Sequence, residues 1–463
     1  MPSQEGTASR FSDFILRSPD SPGARLLKSS LNYAVSEFKF DADAFLYELV
    51  DATIADNYPT PDRMLEYPEK VVHRFLVREM CGKRPPSGRF DLFATEGGTA
   101  AMCYIFNSLV ENKILKKGDT IALGTPIFTP YLEIPKLNSF EFKTVEIKQS
   151  EMIDGLHTWQ YPESEIKKLE DPKIKAFFIV NPSNPPSYAI HQKTIDQIVE
   201  IVKTKRPDLL ILTDDVYGTF VPEFRSLAAD LPSNTILVYS YSKHFGCTGW
   251  RLGVIALHEN NVIDTMIRNL PESDRNELAK RYGSLTLNPS EIRFIDRMVA
   301  DSRSVALNHT AGLSLPQQVQ MTLFSLFSLL DGNDGYKKRC RKIVERRIHK
   351  LFGSMNVPMQ DSDLRSYYYV DLDLAVWAKK VIGPEFAEYM NTHHDPLDVV
   401  FTLAKKHGTV LLNGSGFDGP PWTIRVSLAN LNEEAYEEIG RNLVEVVQAV
   451  VSEWNRSRKG KVA

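Results

Sequence analysis

Between about residue 88 and residue 258 the chain alternates two apolar patterns. Short runs rich in β-branched and aromatic residues (FDLFA, TIALG, KAFFIV, LLILT, TILVYS and RLGVIAL) are separated by segments with helical spacing. In one of these, KTIDQIVEIVKTK, Ile195, Ile198, Val199 and Val202 recur on one helical face. This alternation predicts an α/β fold with a mostly parallel sheet covered by helices on both faces. Ligands of such sheets bind at the carboxyl ends of the strands. Upstream, LLKSSLNYAVSEF and DADAFLYELVDATI read as helices, the second through Phe45, Leu46, Leu49 and Val50. Downstream, GYKKRCRKIVERRIHKLF reads as a long charged helix, and YYYVDLDL and GTVLLN as strands of a smaller C-terminal α/β unit. The expected organisation is an N-terminal arm over 1–24 and a helical segment over 25–65 associated with the small domain. A large domain over 66–335 and a small domain over 336–463 complete it. The last stretch, NRSRKGKVA, reads as a solvated basic tail.

Composition narrows the chemistry. With 463 residues, 43% hydrophobic and 25% charged, the chain is long enough for two domains and a large core. A net charge of −4 gives no electrostatic case for nucleic acid or an anionic membrane. The start lacks a signal-peptide layout and no apolar run is long enough to span a bilayer, so a cytoplasmic protein is expected. Cys81, Cys103, Cys247 and Cys340 lack ligand spacing, which predicts reduced thiols and no metal. Small-molecule chemistry is left as the leading class.

Candidate residues fall where strands stop. FDLFATEGGTAAM runs a strand into Gly97, Gly98 and Thr99 and then a helix, whose first N–H groups suit a phosphate. A plain strand-to-helix turn also accounts for that pair of glycines. GTPIFTPY offers Phe128 to a flat ring and the phenol of Tyr131 nearby, although a core aromatic beneath a loop explains either residue alone. NPSNPP presents the Asn184 amide between prolines, and TDDVY presents Asp214 with Tyr217. A carboxylate at a buried strand end needs a cationic partner, such as a protonated ring nitrogen; the alternative is a helix cap. In YSYSKHFGCTGWRLG, Lys243 follows a buried strand and Arg251 lies eight residues on. A desolvated amine near another cation is a nucleophile and base, and a guanidinium suits a phosphate.

The ordered set GGT, PxF, NPxNPP, DxxY and SxSKxxxxxGxRxG resembles fold-type I pyridoxal-phosphate enzymes of the aspartate aminotransferase superfamily. That resemblance implies Lys243 as the Schiff-base lysine, Asp214 on the pyridine nitrogen, and Asn184 and Tyr217 on the ring hydroxyl. It puts Phe128 on the ring face and Gly97, Gly98, Thr99, Ser240 and Arg251 at the phosphate. A longer resemblance, carried by NYPTPDRML, LFATEGGTAAM, GTPIFTPYLEIP, LTDDVYGTF and VADSRSVALNHTAGLSLPQQVQM, is to the aspartate β-decarboxylases, which also transaminate. It implies Arg425 of TIRVSLANLNE at the substrate α-carboxylate, and Tyr131 and Arg303 near the substrate side chain. For Arg303, a surface ion pair in an insert with oligomer contacts is the alternative. Tyr58 would reach the cofactor phosphate of a neighbouring subunit, in a homodimer or larger homo-oligomer. Members of that family carry a longer N-terminal region with a pocket-lining arginine, and nothing before residue 22 matches it. The resemblance therefore implies L-aspartate turned into alanine and carbon dioxide, with an aminotransferase or a carbon–carbon bond-forming lyase as alternatives within the same chemistry. A non-catalytic scaffold is disfavoured because Lys243, Asp214 and Arg251 are all retained.

Overall fold

The computed structural model describes residues 20–58, 63–306, 312–357, 359 and 361–459. Most of the expected N-terminal arm and the last residues of the basic tail lie outside them. In chain order the strands are β1 (Phe90–Thr95), β2 (Thr120–Thr125), β3 (Lys143–Lys148), β4 (Met152–Ile153), β5 (Leu156–His157), β6 (Ile174–Val180), β7 (Leu210–Asp214), β8 (Thr235–Ser240), β9 (Gly253–His258), β10 (Tyr369–Asp373), β11 (Leu412–Asn413) and β12 (Thr423–Ser427). The helices that matter below are α1 (Pro22–Phe38), α2 (Ala42–Ile54), α3 (Glu66–Cys81), α4 (Gly98–Glu111), α5 (Gln192–Thr204), α6 (Phe294–Ala306), α7 (Leu315–Leu330), α8 (Gly335–Met355), α9 (Leu374–Val381) and α10 (Glu433–Lys459).

The chain divides into two units, each built from two stretches: Met1–Lys117 with Arg225–Tyr336, and Gly118–Phe224 with Lys337–Ala463. The stretch 66–335, expected as one large domain, thus contributes to both.

In the first unit β1, β9 and β8 lie side by side, with β9 antiparallel to both neighbours. All three strands are buried along their whole length, as their unbroken apolar runs require. Thr95 at the end of β1 and Ser240 at the end of β8 both pair with Gly253 at the start of β9. Helix α4 covers this layer, burying Ala101, Met102, Ile105, Phe106 and Leu109. Helix α7, opened by a capping box between Ser314 and Gln317, packs against α1, α2 and α3.

In the second unit β7, β6, β2 and β3 form a parallel arrangement in that order. Ile195, Ile198, Ile201 and Val202 are the buried stripe of α5. A second, antiparallel sheet runs β10, β12, β11. The charged helix α8 buries Val344, Ile348, Leu351 and Met355 at helical spacing, and these join Ile424, Val426, Phe386, Tyr436 and Leu443 in one core. The expected strand GTVLLN shrinks to Leu412–Asn413, because Val410 is 79% exposed and Gly408 holds a left-handed helix cap at φ 63°. Among the described residues no helix is long and apolar enough to cross a membrane.

Candidate active site

Within the first unit the predicted residues gather around the strand ends at Gly253. Strand β1 stops at Thr95, Glu96 and Gly97 follow, and α4 begins at Gly98. Gly97 has φ 93°, and a Cβ added there would lie 2.5 Å from the Arg251 guanidinium. A Cβ on Gly253 would lie 2.6 Å from the Gly97 backbone. Only glycine at both positions lets the chain passages and the guanidinium come this close. The first-turn N–H groups of α4, at Gly98 and Thr99, have no acceptor within the helix and point where the helix dipole favours an anion. Arg251 is fixed by donating from Nη1 to the Thr248 carbonyl at 3.0 Å and from Nη2 to the Glu96 carbonyl at 3.3 Å. Ser240, buried, donates to Ser242 at 2.9 Å and to the Leu252 carbonyl at 3.1 Å. These residues fit a phosphate: a guanidinium, a helix start and hydroxyls at one place. Lys243 follows directly, half-buried between the buried Ser242 and His244.

Two further predicted residues belong to this unit. Tyr58 is 69% exposed. Arg303, on α6, borders a cavity of about 810 Å³ together with Arg63, Arg281, Arg293 and Asp296. Sequence reasoning passed over Glu96, whose carboxylate accepts from the Tyr104 hydroxyl at 3.1 Å and from the Gly312 N–H at 2.9 Å. Its one signal was its place between the strand end and Gly97.

Within the second unit the predicted residues form two contact sets, one around Asp214 and one around Arg425. Asp214 ends β7 and is 6% exposed. Its Oδ2 accepts from the Tyr131 hydroxyl at 2.6 Å and its Oδ1 from the Val216 N–H at 3.2 Å. Tyr131 is itself buried and meets the half-buried Phe128 edge to face, with centroids 5.4 Å apart. Its hydroxyl is therefore turned to Asp214. Tyr217 donates to the Tyr369 hydroxyl at 3.3 Å. Burial first, then Tyr369 and the Asp214 carboxylate, hold the Tyr217 phenol well above its ordinary range, so it stays a neutral donor. Asn184, 3% exposed, accepts from Arg425 Nη1 at 3.1 Å. The Arg425 guanidinium lies over two rings, 4.5 Å from the centre of Tyr369 and 4.7 Å from that of Phe417. Tyr369 and Phe417 were not singled out in the sequence, although Tyr369 falls in the strand-like run YYYVDLDL. An acid braced by a phenol suits a protonated ring nitrogen, and a guanidinium stacked and bonded on one side keeps donors for a carboxylate.

The second unit thus carries an acid, an amide and phenols suited to a heterocycle, and the first carries residues suited to a phosphate followed by a lysine; each set is of the kind found in α/β enzymes. The sequence profile of the family Aminotransferase class I and II matches residues 94–443, and the chain belongs to that family. Family members work with pyridoxal phosphate, whose phosphate and ring nitrogen are the two groups that these residue sets suit. The bifunctional aspartate aminotransferase and L-aspartate beta-decarboxylase of Pseudomonas sp is 48% identical over 439 residues, covering 95% of this chain and 82% of that protein. The aspartate aminotransferase of Sulfolobus acidocaldarius is 33% identical over 147 residues, 31% of this chain and 35% of that one. Among solved structures, the aromatic aminotransferase from Pyrococcus horikoshii superposes with a TM-score of 0.62 at 20% identity, covering 88% of this chain and 91% of that one. A mutant of the Thermus thermophilus aspartate aminotransferase gives 0.60 at 17% identity, covering 91% and 92%. The fold is that of the fold-type I transferases.

Proposed function

We propose that this chain acts on L-aspartate, releasing the β-carboxylate as carbon dioxide to leave L-alanine, with transamination as a side activity. The observation that carries the reading is Arg425, pinned by Asn184 and by the rings of Tyr369 and Phe417, as a fixed receptor for an α-carboxylate. The 48% identical relative, whose name carries both activities, supports the choice of substrate.

When bound, pyridoxal phosphate supplies an electron sink for charge developing at the substrate α-carbon. Lys243 would anchor the cofactor and move the proton at the α-carbon through its amine. Asp214, braced by Tyr131, would hold a ring nitrogen protonated, and Asn184 and the neutral Tyr217 would serve the ring hydroxyl. Phe128 would serve the ring face. Gly97, Gly98, Thr99, Ser240 and Arg251 would hold the phosphate, with Tyr58 serving the phosphate of a neighbouring subunit in a cytoplasmic homo-oligomer. Arg303 belongs with the substrate side chain in the resemblance, with a surface ion pair in an insert with oligomer contacts as the alternative; it shares its cavity with Arg63, Arg281, Arg293, Asp296 and Asp301. A decarboxylase gains rate by holding the departing carboxylate loosely, since a tight ion pair stabilises the charged ground state more than neutral carbon dioxide.

The test is to incubate the holoenzyme with L-aspartate and follow carbon dioxide, alanine and oxaloacetate. Carbon dioxide and alanine should each match the aspartate consumed. Oxaloacetate without carbon dioxide, formed only when a keto acid is added, would overturn the decarboxylase reading in favour of a transaminase. Lys243→Ala should lower turnover by about 10²–10⁴-fold or more.

A further inference from the structure

Within the second unit, residues of β5, β10, α8 and α9 line a cavity of about 390 Å³, a size usual for small-molecule sites. Much of its wall is apolar, with Trp159, Phe352, Met355 and Trp377 contributing. Arg365 lines the same space and is only 5% exposed. Its guanidinium lies over the rings of Tyr188, Tyr367 and Phe352, at 5.1, 5.5 and 6.0 Å from their centres. Among the described residues that guanidinium makes no hydrogen bond and no ion pair. Of its three nitrogens only Nε is sealed off, so the accessible part of the group is the edge formed by Nη1 and Nη2.

A buried charge without a partner is expensive, and a guanidinium, unlike an amine or a carboxyl, cannot give up its charge to relieve the cost. The three rings offset part of it through their faces, but a ring face accepts no hydrogen bond from the Nη1 and Nη2 edge as a carboxylate does. The acids of the cavity wall do not supply the missing partner. Asp373 accepts from the Val376 N–H at 2.9 Å and lies 2.8 Å from His157 Nε2, and both carboxylate oxygens of Asp371 are sealed off. A second cation, Lys380, stands at the exposed rim. A planar carboxylate matches the two-nitrogen edge, whereas a doubly charged phosphate would need more donors than one guanidinium in an apolar chamber offers. We propose that this cavity binds a small aromatic monocarboxylate, its carboxylate on Nη1 and Nη2 of Arg365, its ring against Trp159, Phe352 and Trp377, and Lys380 adding attraction at the entrance. None of these side chains has a role in the reaction proposed above.

The experiment titrates the holoenzyme with 3-(4-nitrophenyl)propionate, whose ring quenches tryptophan fluorescence, and reads binding by that quenching and by calorimetry. The neutral twin, 3-(4-nitrophenyl)propan-1-ol, is the comparator. Saturable binding of the acid is expected, at least tenfold tighter than that of the alcohol. Arg365→Gln should weaken it at least tenfold. Lys380→Glu, a change at the exposed rim that leaves the core untouched, should weaken it at least threefold. Because Arg425 is proposed to receive a substrate carboxylate, Arg425→Lys separates the two sites and should leave the affinity within about twofold. Equal affinity for acid and alcohol, unchanged affinity in Arg365→Gln or Lys380→Glu, loss of binding in Arg425→Lys, or the absence of saturable binding each overturns the proposal.

Discussion

The hydroxyl of Tyr131 and the guanidinium of Arg425 are each held by partners within their own unit, so both are set in place before a substrate arrives. A hydrogen bond to an ionised acceptor contributes about 1.5–3 kcal/mol. Tyr131→Phe should therefore weaken cofactor binding about tenfold or more, measured by titrating the cofactor-free chain with pyridoxal phosphate. Arg425→Lys keeps the charge but loses the planar fork and the ring stacking. The KM for aspartate should rise roughly 10- to 100-fold with a smaller change in kcat. Asp371 makes a separate statement about pH. Burial, with Asp373 beside it, pushes its carboxyl from an ordinary 3.8 up to about 7. Between those values the folded chain holds a proton that the unfolded chain has released, so stability falls as pH rises through this window. Asp371→Asn removes that dependence. The variant should melt above the wild type at pH 8, by an amount on the order of a few kcal/mol, and the gap should close toward pH 4.

At the level of elements, the close passage of Gly253 over Gly97 fixes how β9 leaves Arg251 and how α4 starts. A methyl at Gly253 meets backbone rather than a flexible side-chain tip, so Gly253→Ala should destabilise the fold by about 1–3 kcal/mol, read as a lower melting temperature. Six strands of the two units were legible because FDLFA, TIALG, KAFFIV, LLILT, TILVYS and RLGVIAL are buried almost throughout, and unbroken apolar runs say so; β3, equally long but mostly exposed, was not. Their direction was not legible. Nothing in RLGVIAL records that it runs antiparallel to both neighbours, since the same side chains pack in either sense. GTVLLN misled for the opposite reason: its Val410 and Leu412 are apolar yet exposed. The site residues were found from motif order, but their contacts were not. Tyr131 and Asp214 are 83 positions apart, and no local pattern encodes that the phenol turns to the acid. Tyr369 and Phe417 escaped for the same reason, as their role lies in flanking a guanidinium from elsewhere in the chain.

For the whole molecule, the exposed Tyr58 and the reading that it serves a neighbouring site predict a dimer or larger assembly in sedimentation experiments. Tyr58→Phe should then weaken cofactor binding without altering the sedimentation profile, whereas a monomeric wild type would remove the role assigned to Tyr58. The interleaved path of the chain has a different outcome. The first unit takes in residues up to Tyr336 and the second is completed only by the residues from Lys337 on. Strand β1 pairs with β9, which follows after all of the intervening strands β2 to β8. On a ribosome adding about 5–20 residues per second, the apolar surface of β1 and α4 leaves the exit tunnel well before its cover has been made. For that interval this surface stays uncovered, and Ser240, Lys243 and Arg251, proposed for the vitamin-derived cofactor, are themselves made only after synthesis has passed the midpoint.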